Sequence, residues 1–266
     1  MGVIMSTQLS RTPQEPVGEL FSSDLPLPAV PALRLNGEFS EAETFTRETP
    51  RPLRWPGESW ARAIRCRWQR ERRRRKVGRA YDMALEIARV IPRGSEVLDV
   101  GCGNGFIAHH LSAMLGTSTV GIDLETRSTA PIDYRKYDGV KFPFAERSFD
   151  AILLCYVLHH AQDVRVVLNE MRRALREGGI AIVYEDIPQT VWDRGVCWIH
   201  NQQWRGRTGP CTFRREAAWR SLFKSIGFEI VCERPLSRWR NLTHPVSRRF
   251  YVLRKSPIHR ASLQGF

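Results

Sequence analysis

Residues 97–105 read Val-Leu-Asp-Val-Gly-Cys-Gly-Asn-Gly, an apolar run that leads into three alternating glycines. The pattern predicts a buried strand at Glu96–Val100 and an amphipathic helix at Phe106–Leu115. Glycine permits positive φ and lets the backbone approach a ligand closely. The first turn of a helix offers free N–H groups and a partial positive charge. The stretch therefore predicts a site for a nucleotide-like ligand at the carboxyl end of a strand.

The residues that follow this stretch alternate apolar runs with amphipathic segments. We predict further strands at Ser118–Ile122, Ile132–Tyr137, Asp150–Tyr156, Ile180–Tyr184, Phe228–Cys232 and Phe250–Leu253. Helices are predicted at Asp163–Leu175, before Gly178-Gly179, and at Arg215–Ile226, before Gly227. The intervening residues 188–213 are predicted to form a loop. Buried strands separated by helices indicate an α/β fold with a parallel sheet.

Two positions narrow the class of ligand. The dinucleotide fingerprint Gly-x-Gly-x-x-Gly requires a glycine at position 106. Phe106 occupies that position, which disfavours an NAD-dependent oxidoreductase. Asp123 follows the second predicted strand, where a carboxylate can accept hydrogen bonds from both hydroxyls of a ribose. The pattern therefore favours a nucleoside ligand that brings no pyrophosphate.

Several segments match a known family in chain order. They are 97–105, Gly121-Ile122-Asp123, 138–144 (Asp-Gly-Val-Lys-Phe-Pro-Phe), Ser148-Phe149-Asp150 through 157–160 (Val-Leu-His-His), and 175–179 (Leu-Arg-Glu-Gly-Gly). Together they resemble the motifs of class I S-adenosylmethionine (SAM)-dependent methyltransferases over about residues 80–255. The chain is most similar to the small-molecule branch that includes the quinone-biosynthesis C-methyltransferases. Phe142 and Glu177 depart from the family's Leu and Pro, and neither change removes a ligand contact.

The resemblance implies a Rossmann-like, doubly wound, mostly parallel seven-stranded sheet with helices on both faces and an antiparallel C-terminal strand. It also implies SAM as the cofactor. Asp99 would lie near the amino group of SAM, and Asp123 would hold the ribose. The other predicted cofactor-binding residues are Gly101 and Gly103 at the methionine part, Asp138 and Gly139 at the adenine, and Cys102, Leu124 and Cys155. Cys102 is predicted to be a packing residue rather than a nucleophile.

The predicted catalytic residues are Tyr156, His159 and His160, which stand where the fourth strand opens toward the cofactor. The sulfonium methyl of SAM is already activated, so the protein mainly aligns the acceptor with the methyl group and excludes water. A general base is needed only for a weakly acidic acceptor, such as a phenol or an activated carbon. Alternative candidates further along the chain are Glu185, Asp186 and His200.

The composition indicates which partners and which cellular compartment to expect. The 266 residues include 41 lysines and arginines and carry a formal net charge of +13, with the excess in 61–80 and 190–266. Basic flanks can attract nucleic acid or an anionic surface, although a solvated surface gives the same pattern. No stretch reaches the roughly 20 apolar residues of a membrane span. The six cysteines include no Cys-x-x-Cys pair, so we predict no metal site, no disulfide framework and a cytoplasmic protein.

The predicted organisation has four parts. Residues 1–58 are a proline-rich disordered arm, and residues 59–92 form one or two basic helices. Residues 93–256 are the methyltransferase domain, and residues 257–266 are a flexible tail. Within the domain, the aromatic and arginine side chains of 188–213 could clasp an aromatic or anionic acceptor, or could pack a lid onto the domain.

The predicted function is transfer of a methyl group from SAM to a small-molecule acceptor through an oxygen, nitrogen or carbon nucleophile. An RNA or protein acceptor is an alternative that the basic flanks support. Against it, the sequence contains no Asn-Pro-Pro-Tyr-like motif for flipped bases and no recognisable nucleic-acid module. A non-catalytic SAM-binding interaction protein is a second alternative.

Overall fold

The computed structural model describes residues 56–125 and 128–256. Most of the predicted arm and the whole of the predicted tail therefore lie outside the described residues. The first described element is a single long helix, α1 (Pro56–Ala88), which runs through the boundary that we predicted at residue 58. Its arginine-rich first half is exposed, and its second half packs on the next helix through Ala84 and Ile87, both fully buried.

The rest of the chain alternates strands and helices. In order, the elements are β1 (Val97–Val100), α2 (Phe106–Leu115), β2 (Thr119–Asp123), β3 (Asp133–Lys136), β4 (Phe149–Cys155), α3 (Val164–Ala174), β5 (Leu175–Asp186), α4 (Val191–Thr208), α5 (Glu216–Ile226), β6 (Phe228–Leu236) and β7 (Arg248–Lys255). Short 3₁₀ turns cover Leu158–His160 and Arg238–Arg240. No helix within the described ranges is long and apolar enough to cross a membrane.

The seven strands form one sheet in the order β3-β2-β1-β4-β5-β7-β6. Every neighbouring pair from β3 to β5 is parallel, and β7 runs antiparallel to both β5 and β6. This topology confirms the predicted fold class. Because parallel strands share a direction, the carboxyl ends of β1, β2, β4 and β5 meet at one edge of the sheet, where α/β folds bind ligands.

Helices cover both faces of the sheet. On one face, α3 and α5 bury Leu168, Trp219 and Phe223 against the strands, and on the other α1 and α2 bury Ile87 and Leu111. Each fully buried side chain of this size contributes about 1.5–3 kcal/mol to folding. The two layers fix the strand ends from both sides, so the loops at that edge stand on a rigid base.

The structure corrects two predictions. Residues 188–213 are mostly the helix α4, not a loop. Thr190 and Asp193 start this helix with a capping box, in which the Thr190 hydroxyl accepts from the Asp193 N–H and the Asp193 carboxylate accepts from the Thr190 N–H. The strand β5 begins at Leu175 and not at the predicted Ile180, because Leu175 already pairs with Phe149 in the sheet.

Candidate active site

Three glycines shape the loop between β1 and α2, here called the glycine loop (residues 101–105). Gly101, Gly103 and Gly105 have φ values of +67°, +54° and +74°. A Cβ atom on Gly101 would lie 2.5 Å from Cγ2 of Val157. The glycine loop is therefore packed directly against the residues that follow β4.

Asp123, at the end of β2, lies against the glycine loop. Its Oδ2 accepts a hydrogen bond of 2.7 Å from the N–H of Gly103, and its Oδ1 accepts one of 3.3 Å from the N–H of Glu125. Its neighbour Leu124 is partly exposed and faces Gly139, whose Cβ would lie 3.1 Å from Leu124 Cδ2. The structure thus brings together predicted cofactor-binding residues from three separate segments.

Asp99 is a buried carboxylate with an unsatisfied oxygen. Its Oδ2 has no hydrogen-bond partner among the described residues. Burial and, to a lesser extent, the charge of Asp123 raise its pKa to about 7. A buried carboxylate is costly unless an opposite charge or a donor pairs with it. The position therefore fits a ligand that brings a cationic group, as the α-ammonium of SAM does.

Asp138 is held differently. Its Oδ1 accepts hydrogen bonds from the N–H groups of Lys141 and Val140 at 2.9 and 2.8 Å, and these hold its pKa below the usual range. The carboxylate is solvent-accessible and stays ionised. It also fixes the turn that presents Gly139 to Leu124, at the rim of the predicted adenine position.

Cys155 and Tyr156 lie where β4 leaves the sheet. Burial and the charges of Asp99 and Glu185 raise the pKa of the Cys155 thiol, so this residue lies between the glycine loop and the end of β5. Tyr156 has a φ of +63°, uncommon for a residue with a large side chain. Its N–H donates to the carbonyl of Tyr184 at 2.9 Å, and burial raises the pKa of its phenol. Such backbone strain is concentrated at functional sites.

His159 is fully buried and paired with Glu185. Its Nδ1 lies 2.7 Å from Glu185 Oε2, while Glu185 Oε1 accepts from the N–H of Leu158 at 2.8 Å. Burial by itself lowers the pKa of His159, but the charge and the hydrogen bond of Glu185 outweigh it, and the pKa is raised. The ring of Phe213 stacks on the imidazole at 4.8 Å. This pair was not predicted as a unit, since 26 residues separate its members.

His160 and His200 complete a group that we call the histidine cluster (His159, His160 and His200). The Nε2 atoms of His160 and His200 lie 3.2 Å apart. The predictions had placed His200 in a loop, whereas it lies on α4, the helix that the capping box starts. The N–H of Thr212 donates to the carbonyl of His159 at 2.8 Å, so the segment after α4 is tied to the end of β4.

Asp186 is already paired. Arg248 Nε and His244 Nε2 lie 2.9 and 2.8 Å from its carboxylate oxygens, and the pKa of Asp186 is lowered because these pairings outweigh burial. Asp186 is therefore a structural anion and not a free base. Sequence reasoning missed both Arg248 and His244, which come from the last part of the described chain and follow no local motif.

An open cleft of about 220 Å³ adjoins the histidine cluster. Its walls include Arg194, Trp198, Asn201, Cys211 and Phe213, all from α4 and the segment after it. Phe213 faces both the cleft and His159, and Cys211 Sγ lies 3.3 Å from His160 Nδ1. The cleft thus borders the histidines rather than the glycine loop, which gives the site a cofactor side and a second, aromatic side.

Most of the described chain matches one known protein family. A family profile described as a methyltransferase domain matches residues 69–233. This range contains the glycine loop, Asp123, Asp138 and the histidine cluster.

Individual relatives match part of the chain. The sterol 24-C-methyltransferase of Yarrowia lipolytica is 28% identical over 177 residues, which are 59% of this chain and 44% of that enzyme. The ubiquinone/menaquinone biosynthesis C-methyltransferase of Xylella fastidiosa is 28% identical over 166 residues, which are 56% of this chain and 66% of that enzyme. The chain thus spans less than half of the Yarrowia relative.

The fold is also found among solved structures. A SAM-dependent methyltransferase from Methanosarcina mazei aligns with a TM-score of 0.52 at 18% identity, over 64% of this chain and 96% of that one. At this identity the similarity concerns the arrangement of the sheet and helices.

Proposed function

Since the chain belongs to the class I SAM-dependent methyltransferase family, we propose that it transfers the methyl group of SAM to a small-molecule acceptor. The observation that carries the proposal is the buried, unsatisfied carboxylate of Asp99 beside the glycine loop. It supplies the negative charge that the α-ammonium group of SAM requires. The relatives named for sterol and quinone methylation support a small molecule as the acceptor.

We propose that the cofactor is held by the residues already described around the glycine loop. Asp99 would pair with the ammonium group, and Asp123 would accept from the ribose hydroxyls. Leu124 and Gly139 would enclose the adenine, with Asp138 at its amino group. SAM supplies the activated methyl group, while the chain's own residues orient the acceptor and exclude water from the space between them.

The predicted catalytic residues differ in what they can do. The pKa of His160 falls to about 3 through burial and the neighbouring histidines, so at neutral pH its ring is a neutral imidazole. The raised pKa of Tyr156 keeps its phenol protonated, which makes it a donor. His159 turns one nitrogen to Glu185 and keeps the other buried. We therefore propose that the histidines together orient the reacting group of the acceptor, and that none of them acts alone as a general base.

The raised pKa of Asp99 predicts a pH dependence of SAM binding. Below about pH 7 the side chain is protonated and must release its proton before it can pair with an ammonium group. Affinity should therefore rise about tenfold between about pH 5.5 and about pH 7. Isothermal titration calorimetry at a series of pH values checks this. The series ends at about pH 7, because an α-amino group itself titrates at about 7.7–8.0.

Two variants serve as controls for this pH dependence. Asp99→Asn should bind SAM weakly and with little pH dependence. Asp138→Asn should retain the slope, because the pKa of Asp138 is lowered and its carboxylate is ionised throughout this range. An equal slope in Asp99→Asn and the wild type would remove Asp99 from the ammonium position.

The acceptor can be identified with SAM that carries a deuterated methyl group. We expect incubation with a metabolite extract to release S-adenosylhomocysteine and to label a small molecule, which mass spectrometry identifies together with the methylated atom. Label confined to RNA or protein fractions would instead support the macromolecular alternative. Absence of S-adenosylhomocysteine in every fraction would support a non-catalytic SAM-binding protein.

The macromolecular alternative has one specific observation in its favour. Within the described residues, the exposed first half of α1 presents Arg67, Arg70 and Arg74 beside Ile64, Trp68 and Glu71. Such a basic and aromatic surface suits an anionic partner. We also propose a cytoplasmic location, because all six cysteines are free thiols, as a reducing compartment allows.

A further inference from the structure

The histidine cluster is built from two segments that lie about 40 residues apart, and it is not explained by cofactor binding. We propose that His159, His160 and His200 bind a divalent first-row transition metal ion, for which Zn²⁺ is the best match by ligand type, and that the ion's open position takes the reacting oxygen of the acceptor. The second half of this statement rests on the proposed function, whereas the first does not.

The spacing of the nitrogens suits a metal ion. One nitrogen from each histidine can be chosen so that all three lie within 4.8 Å of one another. In a tetrahedral zinc site with Zn–N bonds of about 2.0–2.1 Å, ligand nitrogens are about 3.3 Å apart. The Nε2 atoms of His160 and His200, at 3.2 Å, already have this separation. The widest pair would have to close by about 1.5 Å to reach this separation.

His159 supplies the second, independent observation. Its side chain is 1% exposed, and its Nε2 has no hydrogen-bond partner among the described residues. A buried nitrogen without a partner is unfavourable. Since Nδ1 is engaged by Glu185, Nε2 is the nitrogen that His159 can offer to an ion.

Hydrogen bonds around the cluster orient the rings as metal ligands require. Glu185 holds His159 through Nδ1, which is the carboxylate–histidine–metal arrangement of zinc sites. Thr208 Oγ1 and Cys211 Sγ lie 3.1 and 3.3 Å from His160 Nδ1. Both contacts leave Nε2 free for coordination.

Two of the three histidines are held neutral, whereas Glu185 raises the pKa of His159, where an ion would compete with a proton. Burial and neighbouring histidines lower the pKa of His160 to about 3 and that of His200 to about 4. Both are therefore neutral imidazoles at neutral pH, which is the form that binds metal ions. The carboxylate of Glu185 faces the cluster and can offset the charge of an ion, whereas Asp186 is already paired with Arg248 and His244.

Three protein ligands leave one position open, as in catalytic zinc sites. An acceptor hydroxyl bound there would be acidified and would lose its proton to solvent. The metal-bound oxygen would then attack the methyl carbon, the carbon–sulfur bond would break with its electron pair remaining on sulfur, and S-adenosylhomocysteine would leave.

The sequence had predicted no metal site, because it contains no Cys-x-x-Cys pair. Histidines that lie far apart in the sequence leave no such local pattern.

Cobalt substitution tests the site directly. Tag-free wild-type protein is stripped with a chelator and titrated with Co²⁺, whose visible absorption reports coordination geometry. We expect intense tetrahedral bands that saturate at about one equivalent, without the thiolate charge-transfer band that cysteine ligation would produce. Zn²⁺ should displace the Co²⁺ and remove the bands.

Variants separate the cluster from other ligands. His200→Gln should abolish the bands, and so should His160→Gln, which serves if the first variant does not fold. His109→Gln, on α2 and outside the cluster, should retain them. Glu185→Gln keeps all three histidines and should weaken Co²⁺ binding tenfold to a hundredfold.

Calorimetry with SAM on the same stripped sample distinguishes the two proposals. Wild-type protein that binds SAM but gives no tetrahedral cobalt spectrum would overturn the metal site and leave the proposed function intact. Equal cobalt spectra for the wild type and the histidine variants would also overturn the metal site, because the bound cobalt would then lie elsewhere. Failure to bind SAM, with the cobalt bands present, would overturn the proposed function, and with it the role of the ion toward the acceptor, while the metal site itself would stand.

Discussion

Asp123→Asn should weaken SAM binding by about a hundredfold, measured by isothermal titration calorimetry. A hydrogen bond to a charged group contributes about 1.5–3 kcal/mol. The asparagine has no charge, so one ribose hydroxyl would keep only a neutral acceptor and the other would face the amide NH₂ group. Every 1.4 kcal/mol is a factor of about ten in affinity. The substitution also weakens the contact between Asp123 Oδ2 and the N–H of Gly103, which steadies the glycine loop.

Glu125→Gln is the matched control for this substitution. Glu125 lies two residues away and is exposed, and its backbone N–H rather than its side chain contacts Asp123. The control removes the same charge from the same loop, so it should leave the affinity within about threefold of wild type, since exposed charges interact weakly through water. Equal losses in both variants would mean that Asp123 acts only through the local field and does not hold the ribose.

On the cofactor side of the site, the backbone geometry could be predicted because its determinants are local. The alternation of Gly101, Gly103 and Gly105 requires a backbone that only glycine adopts easily, and all three have positive φ in the structure. Asp123 could be placed because the end of a parallel strand always lies at the ligand-binding edge. The fold class followed from the same repetition of strand and helix.

On the other side of the site, the sequence named candidate residues but not their pairings, because those contacts are long-range. The Glu185–His159 pair, the His160–His200 contact and the Arg248–Asp186 ion pair join residues that no sequence spacing relates. The helix α4 was missed because Gly195 and Gly206 lower its intrinsic helix propensity. Its capping box and the buried Asp193 and Cys197 offset that penalty.

Gly101→Ala should lower the free energy of unfolding by about 2–5 kcal/mol, measured by chemical denaturation. A left-handed backbone costs a residue with a Cβ about 1–2 kcal/mol. In addition, the new Cβ would lie 2.5 Å from Val157 Cγ2, and overpacking of this kind costs about 1–3 kcal/mol. The result bears on function because this contact joins the glycine loop to the residues leading into the histidine cluster.

Gly116→Ala and Val157→Ala separate the two contributions. Gly116 has a φ of +69° at the end of α2, and a Cβ there would meet no atom of the described residues within 4 Å. Its substitution should therefore cost only the backbone penalty of about 1–2 kcal/mol. Adding Val157→Ala to Gly101→Ala should remove the overpacking component, so that only the backbone penalty remains. If Gly101→Ala costs no more than Gly116→Ala, the glycine loop is not packed against Val157, and the two sides of the site are not mechanically joined there.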